Sequence, residues 1–273
     1  MPDVSGRVKP NIAVQGDVVV DKVTGLVWQG GSVDETCKSP EGGLCSLAAA
    51  SEYCDGLVLA GSAEWRLPTA IEVQSTFVLS PDGYVYDRAL FPSPKVERYL
   101  LWTRPLQGSD RTSLVYSSGG VAIDQGLTDS LAQVRCVSGG HRAVGSRYAI
   151  DEALETIADN WTTLTWRRNE ESGLFSFAEA QNRCASLGEG WRVPSAKELL
   201  TLVTPDYLQR CIDRRVFGER TASELWGSTE DVRSDGEVGH YGMLMRVSDA
   251  YRCGEIVRSP MEQRRRLAVR CVR

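Results

Sequence analysis

"WRLPTAIEV" occupies Trp65–Val73, and "WRVPSAKEL" occupies Trp191–Leu199. Such a near-repeat within one chain asks whether the rest is also written twice. Upstream of the first block, Leu47, Ala50, Cys54 and Leu57 have the spacing of one helical face. Phe177, Ala180, Cys184 and Leu187 repeat that spacing, with cysteine in the same slot. Downstream, "LLWT" sets Trp102 and "LWGS" sets Trp226, and "VRCV" closes each half at Val134–Val137 and Val269–Val272. Landmarks in one order mark a tandem duplication, with a first domain over residues 1–138 and a second over 147–273. The segment between them, within "SGGHRAVGSRY" (Ser138–Tyr148), has the glycine and polar content of an interdomain linker.

The blocks themselves read as helix starts. Thr69-x-x-Glu72 and Ser195-x-x-Glu198 are capping boxes: the hydroxyl accepts from the third amide, and the glutamate reaches back to the cap amide. Pro68 and Pro194 keep the entry extended. Val73 and Phe77 in one copy, and Leu199, Leu202 and Val203 in the other, then face a core. Trp65 and Trp191 read as core anchors. Arg66 and Arg192 recur at a tight turn, where a planar guanidinium suits an ion pair or backbone brace better than a ligand contact.

Each copy opens with strand-like sequence. "DVVVDKVTGLVW" gives two short β runs around a turn ending at Gly25, with "NWTTLTW", ending at Trp166, as the weaker counterpart. After Trp102 and Trp226, β-prone runs alternate with Gly/Ser/Asp turns. The expected class is α+β: per copy, two helices and a mainly antiparallel sheet, stabilised by disulfides.

Of 273 residues 42% are hydrophobic, enough for real cores, and the net charge of -5 argues against a nucleic-acid partner. No stretch approaches the roughly 20 apolar residues that span a bilayer. Eight cysteines against two histidines, His141 and His240, with no C-x-x-C pair, favour disulfides over zinc and place the protein in an oxidising compartment. "MPDVSGRVKP" has no apolar core of an export signal; prior removal of one would account for that. Under the repeat, Cys54–Cys136 and Cys184–Cys271 become equivalent bridges from the first helix to the last strand. Cys37–Cys45 and Cys211–Cys253 remain, one pair per copy.

The set "VTGLVW", a helix with cysteine, "WRLPT..E", "LLWT" and terminal "VRCV" resembles the Lcl C-terminal domain family, bacterial surface domains named for the C-terminal part of a collagen-like adhesin. Copy two keeps the later landmarks and departs at the start. The resemblance implies a C-type-lectin-like fold with neighbouring terminal strands, two helices and a loop-rich upper sheet that binds ligands. It also implies an exported adhesion or recognition protein, at the cell surface or in the periplasm, with a surface polysaccharide or envelope protein as partner. A scaffold subunit of an envelope or pilus complex is the alternative. "RLPT..E" is similar as well to the formylglycine-generating enzymes, a related fold. That third reading needs free reactive cysteines, and each cysteine already has a structural partner.

No H-E-x-x-H, G-x-S-x-G or P-loop occurs, so no catalytic residue is expected. Calcium is the one cofactor to weigh. "STEDVRSDGEVGH" offers Glu230, Asp231, Asp235 and Glu237 but lacks the sugar-binding signatures of C-type lectins, and a solvated acidic loop is the simpler reading. "RRRLAVRCVR" reads as a closing strand beside a charged loop. Ligand contact is expected where the copies differ, between the second tryptophan and the last cysteine. There copy one offers Arg104, Gln107, Asp110, Arg111 and Tyr116, and copy two offers Glu230, Asp231, Arg233, His240, Tyr241 and Tyr251.

Overall fold

Alternating valines around tight turns start the first copy. β1 (Ile12–Gln15), β2 (Val18–Asp21) and β3 (Leu26–Gln29) form an antiparallel meander. The computed structural model describes residues 12–22, 25–31, 44–69, 72–73, 76, 90–91, 99–104, 112–117, 121–126, 131–139, 146–202, 212–218, 224–232, 238–244, 255–258 and 266–273. The chain divides into two compact units, Met1–Arg142 and Ala143–Arg273.

In the first unit, helix α1 (Leu47–Asp55) follows the meander, then β4 (Tyr99–Trp102), β5 (Thr112–Ser117), β6 (Val121–Gly126) and β7 (Val137–Gly139). The closing strand β7 returns beside β3, giving a sheet of order β1-β2-β3-β7, while β4-β5-β6 form a second antiparallel sheet. The second unit repeats the plan. β8 (Tyr148–Asp151), β9 (Thr156–Asp159) and β10 (Leu164–Arg167) form the meander; α2 (Phe177–Ala185), α3 (Ala196–Thr201) and α4 (Arg214–Phe217) follow; β11 (Glu224–Val232), β12 (Val238–Leu244) and β13 (Glu255–Arg258) make the second sheet. Its closing segment is held by backbone bridges from Val272 to Trp166 and to Arg192, as Val137 is held by Trp28 and Arg66. The class is α+β.

Four details depart from expectation. β1 and β8 extend each hairpin to three strands, and α4 adds a third, one-turn helix to the second unit. In "NWTTLTW" the first residues are the turn and only Leu164–Arg167 is strand. Leu57 and Leu187 lie just past the helices, whose caps are Gly56 and Ser186, and pack on the core as the hydrophobic contact that closes a helix end.

The helices begin where serine can cap them. Ser46 accepts from the Ala49 amide, and Ser176 forms a full capping box with Glu179. Each buries one stripe: Ala50 and Cys54 in α1, Ala180 and Cys184 in α2. The cores correspond position by position. Ala50, Cys54, Trp65, Leu67, Trp102, Val134 and Cys136 match Ala180, Cys184, Trp191, Val193, Trp226, Val269 and Cys271. Val73, Leu199 and Leu202 are buried as expected, while Phe77 and Val203 lie outside the described residues.

Both equivalent disulfides are present, Cys54–Cys136 and Cys184–Cys271, closing separations of 82 and 87 residues. Cross-links of that span stabilise by about 4–5 kcal/mol on the chain-entropy account. Cys45 is also disulfide-bonded; Cys37, Cys211 and Cys253 lie outside the described residues.

The β2–β3 and β9–β10 turns are closed by equivalent hydrogen bonds and differ in chemistry. The Gly25 amide donates to Asp21 O at 2.9 Å, and the Thr163 amide donates to Asp159 O at 2.8 Å. Gly25 has φ 70° and Thr163 has φ 60°. Glycine adopts that region freely, whereas a β-branched residue is strained there. Thr163→Gly therefore raises the stability of the chain by about 1 kcal/mol. Urea unfolding checks it, and an unchanged or lower midpoint contradicts the strain.

Candidate functional site

The residues that recur turn inward. Arg66 grips Glu72 through Nη1 to Oε2 at 2.9 Å and Nη2 to Oε1 at 2.7 Å; Arg192 grips Glu198 in the same fork at 2.8 and 2.7 Å. Each glutamate also accepts from its capping amide, Thr69 or Ser195, at 2.7 Å. The backbones of Arg66 and Arg192 meanwhile exchange hydrogen bonds with Val137 and Val272. Each arginine thus braces helix start against closing strand, the structural role its recurrence suggested. Burial by itself raises the Glu72 and Glu198 carboxyls, but the facing guanidinium and the cap groups outweigh it and hold both below the usual range.

The arginines of "VRCV" are the functional-looking residues whose role the sequence hides. Arg270 is fully buried, and Arg135 is nearly so. Arg135 Nη1 donates to Gln29 O at 2.6 Å, and Arg270 Nη1 donates to Arg167 O at 3.0 Å and to Arg168 O. Each guanidinium lies over a phenylalanine ring, Phe91 at 5.0 Å and Phe217 at 5.2 Å. Glu170 lies 3.3 Å from Arg270 Nη2, and burial pulls that guanidinium down from its ordinary value. These cations serve the fold and are not a polyanion site.

Of the positions expected to contact ligand, the described ones lie on or beside the second sheets. The tryptophan at the root of each sheet is pinned the same way: Trp102 Nε1 donates to Cys45 O and Trp226 Nε1 to Phe175 O, both at 2.7 Å. Two residues further on, the Arg104 and Ser228 amides donate to the Pro68 and Pro194 carbonyls, again at 2.7 Å. Beyond that shared root the copies diverge. Arg104 is exposed there, and Arg111 immediately precedes β5, whose first residue Thr112 lies at that end of the ladder. Tyr116 pairs with Leu100 toward the other end, so it does not join Arg104. Gln107, Asp110 and Arg111 lie outside the described residues.

In the second copy, Glu230 pairs with His240 and Asp231 with Gly239 across β11–β12, which brings Glu230, Asp231 and His240 to the turn end of the hairpin, with Tyr241 next to them at the middle of β12. The register slips between Trp226 and Glu230, so Gly227–Thr229 bulge opposite Tyr241, which pairs on its far side with Arg258. Such bulges bend a strand and re-aim side chains. This one is docked on the scaffold, because Thr229 Oγ1 accepts from the Ala196 amide at 2.9 Å. Arg233 and Tyr251 lie outside the described residues, as do Asp235, Glu237 and His141. Among the described residues no group of three or more His, Cys, Asp or Glu could hold a metal ion, and no helix is long and apolar enough to cross a membrane.

A second cluster went unseen in the sequence. Arg147 forks onto Asp159, with Nη2 at 2.7 Å from Oδ2, and donates to Thr201 O at 2.6 Å. Its guanidinium lies 4.6 Å from the Tyr148 ring centroid and 4.9 Å from that of Trp161. Burial pushes the Tyr148 phenol up, so it stays neutral. The available signal was the departure of "NWTTLTW" from "VTGLVW", which puts an aromatic into a turn.

The chain is thus a pair of disulfide-stapled α+β domains, each a repeated scaffold carrying its own second sheet. The Lcl C-terminal domain family matches residues 17–138 and again 155–273, and the chain belongs to that family. No curated protein matches the chain.

The paired glutamates give a pH signature. Below about pH 4.3 the unfolded chain takes up protons that folded Glu72 and Glu198 resist. Their contribution is complete above that value and is lost as pH falls through their lower folded pKa. Glu198→Gln flattens the stability–pH curve between about pH 5 and 3, read by urea unfolding at stepped pH. A slope equal to that of the unmodified chain shows that the pair is not its source.

Proposed function

We propose that this is an exported bacterial recognition protein, non-enzymatic and cofactor-free, with two C-type-lectin-like domains that bind a surface polysaccharide or an envelope protein through the second sheets and their loops. One observation carries the reading: recurring residues are consumed inside the scaffold, and the copies differ where the second sheets leave it. Variation on a fixed frame is how recognition surfaces are built. The return of β7 beside β3 and the helix-to-closing-strand disulfides support the lectin-like fold. Those bonds, with bonded Cys45, also leave these five cysteines unavailable for formylglycine-type chemistry. The disulfides are compatible with an extracellular or periplasmic location. The family name points to a surface adhesin role, and the net charge of -5 speaks against nucleic acid.

Arginine and tyrosine combine contact area with directed polar groups, which makes Arg111 and Tyr241 the residues to change. Because the two surfaces differ, the copies recognise different partners or only one of them binds. Biolayer interferometry of the full chain against purified envelope polysaccharide and against envelope protein extract provides the measurement. Arg111→Ala or Tyr241→Ala weakens one of these by about tenfold, with Tm held within about 2 °C. Binding that survives both changes but is lost on altering the exposed faces of Leu47–Asp55 or Phe177–Ala185 moves the site to the helices.

A further inference from the structure

We propose that the turn Asn160–Thr163 of the second unit is a separate binding site for a neutral saccharide, which stacks on the open face of the Trp161 indole. The inference stands apart from the second-sheet reading and uses none of its residues. Trp161 is 48% exposed. A single exposed aromatic is ordinary; an exposed aromatic that the protein holds in place is not. The Trp161 amide donates to Asp159 Oδ1 at 3.0 Å, and the Arg147 guanidinium backs one face of the ring at 4.9 Å. Arg147 is itself fixed by its fork to Asp159, a side chain with no exposed surface, and by Thr201 O. The indole is therefore ordered before any ligand arrives, which lowers the entropy cost of binding.

Backbone strain points to the same turn. Thr163 sits at φ 60° where the first copy places Gly25, and the strand pairing on either side is the same in both copies. The fold therefore works with glycine, so the strained threonine answers to something else. At the position of Trp161 the first copy has Val23. Aromatic and strain arrive together in one copy only.

The surroundings select the ligand class. Asn160 is exposed, and its Nδ2 donates to Ser146 O at 3.0 Å, which orients the carboxamide and presents Oδ1 as an acceptor. Thr162 Oγ1 accepts from the Leu164 amide at 3.4 Å, leaving its own proton to donate. A pyranose has a face of C–H bonds that suits the negative face of an indole, and a rim of hydroxyls that suits an amide and a hydroxyl. The Arg147 charge is matched by Asp159 at 2.7 Å, so no uncompensated cation lies beneath the ring to select an anionic sugar.

Native affinity electrophoresis of the full chain tests this, with gels containing dextran, mixed-linkage β-glucan or galactomannan, and dextran sulfate as the anionic probe. At least one neutral gel retards the chain saturably. Trp161→Ala weakens that retardation by about tenfold, and Trp161→Phe, which keeps a stacking face, stays within about threefold. The Tm of each variant is read alongside, so that unfolding is not mistaken for lost binding. The proposal is overturned if no neutral gel retards the unmodified chain, if folded Trp161→Ala migrates like it, or if only dextran sulfate retards it. Retardation lost with Tyr241→Ala and kept with Trp161→Ala overturns it too, while supporting the second-sheet site.

Discussion

Four residues hold each domain together. In "VRCV" the first valine fills the core, the arginine enters it, the cysteine bonds to the first helix, and the last valine pairs with the block that starts the second. The arginine is the constraint on which the others depend. A buried guanidinium is costly unless its donors and its charge are met. Here the acceptors are the carbonyls where the hairpin exits, Gln29 and Gly31 in one copy and Arg167 and Arg168 in the other, with a phenylalanine ring alongside. Reaching those carbonyls fixes the hairpin against the closing segment and draws in Phe91 or Phe217 from beyond the second helix start. Chain ends, meander and middle are tied at one point.

Duplication lets one copy serve as a control on the other. Where Cys45 bridges Ala132 in the first unit, Phe175 bridges Leu267 in the second, at the same backbone position. The larger pair fills its space with hydrocarbon, while the smaller leaves a cysteine that forms a disulfide. The tryptophan above accepts either arrangement, because it bonds to the carbonyl of that position and not to its side chain. Interchange of this kind is tolerated when volume and hydrogen bonding are kept. A position that changes without such compensation, as Gly25 changes to Thr163, stands out for that reason.

What the sequence disclosed follows from the range of each interaction. Capping boxes and helical stripes are local, so Thr69, Glu72, Ser195 and Glu198 could be placed from spacing alone. Repetition extended that reach, since two equivalent cysteine pairs are far better constrained than eight separate cysteines. The buried arginines were not legible. Arg270 meets carbonyls from the distant hairpin, and a cation among charged neighbours in "RRRLAVRCVR" looks like solvated surface. β1 was missed because Ile12–Gln15 is too short to show alternation, and α4 because a single turn has no period. Of the expected ligand residues, the register gathers Glu230, Asp231, His240 and Tyr241 and separates Tyr116 from Arg104, which depends on strand pairing and not on order along the chain.

Division of labour within each domain explains why function is harder to read here than fold. Recurring polar residues usually advertise chemistry, yet Arg66, Arg192, Arg135 and Arg270 are all engaged by carboxylates or carbonyls of the scaffold. Once they are assigned inward, the differences between copies are where the proposed recognition is sought. Among the described residues two such places stand out: the second sheet, where a bulge docked on Ala196 lies opposite Tyr241, and the β9–β10 turn of the second unit, where Arg147 and Asp159 hold Trp161 in the open. Both are short irregular segments tied to rigid elements by specific hydrogen bonds. Such a segment can change its side chains without disturbing the core, and the core keeps what it presents in a fixed geometry.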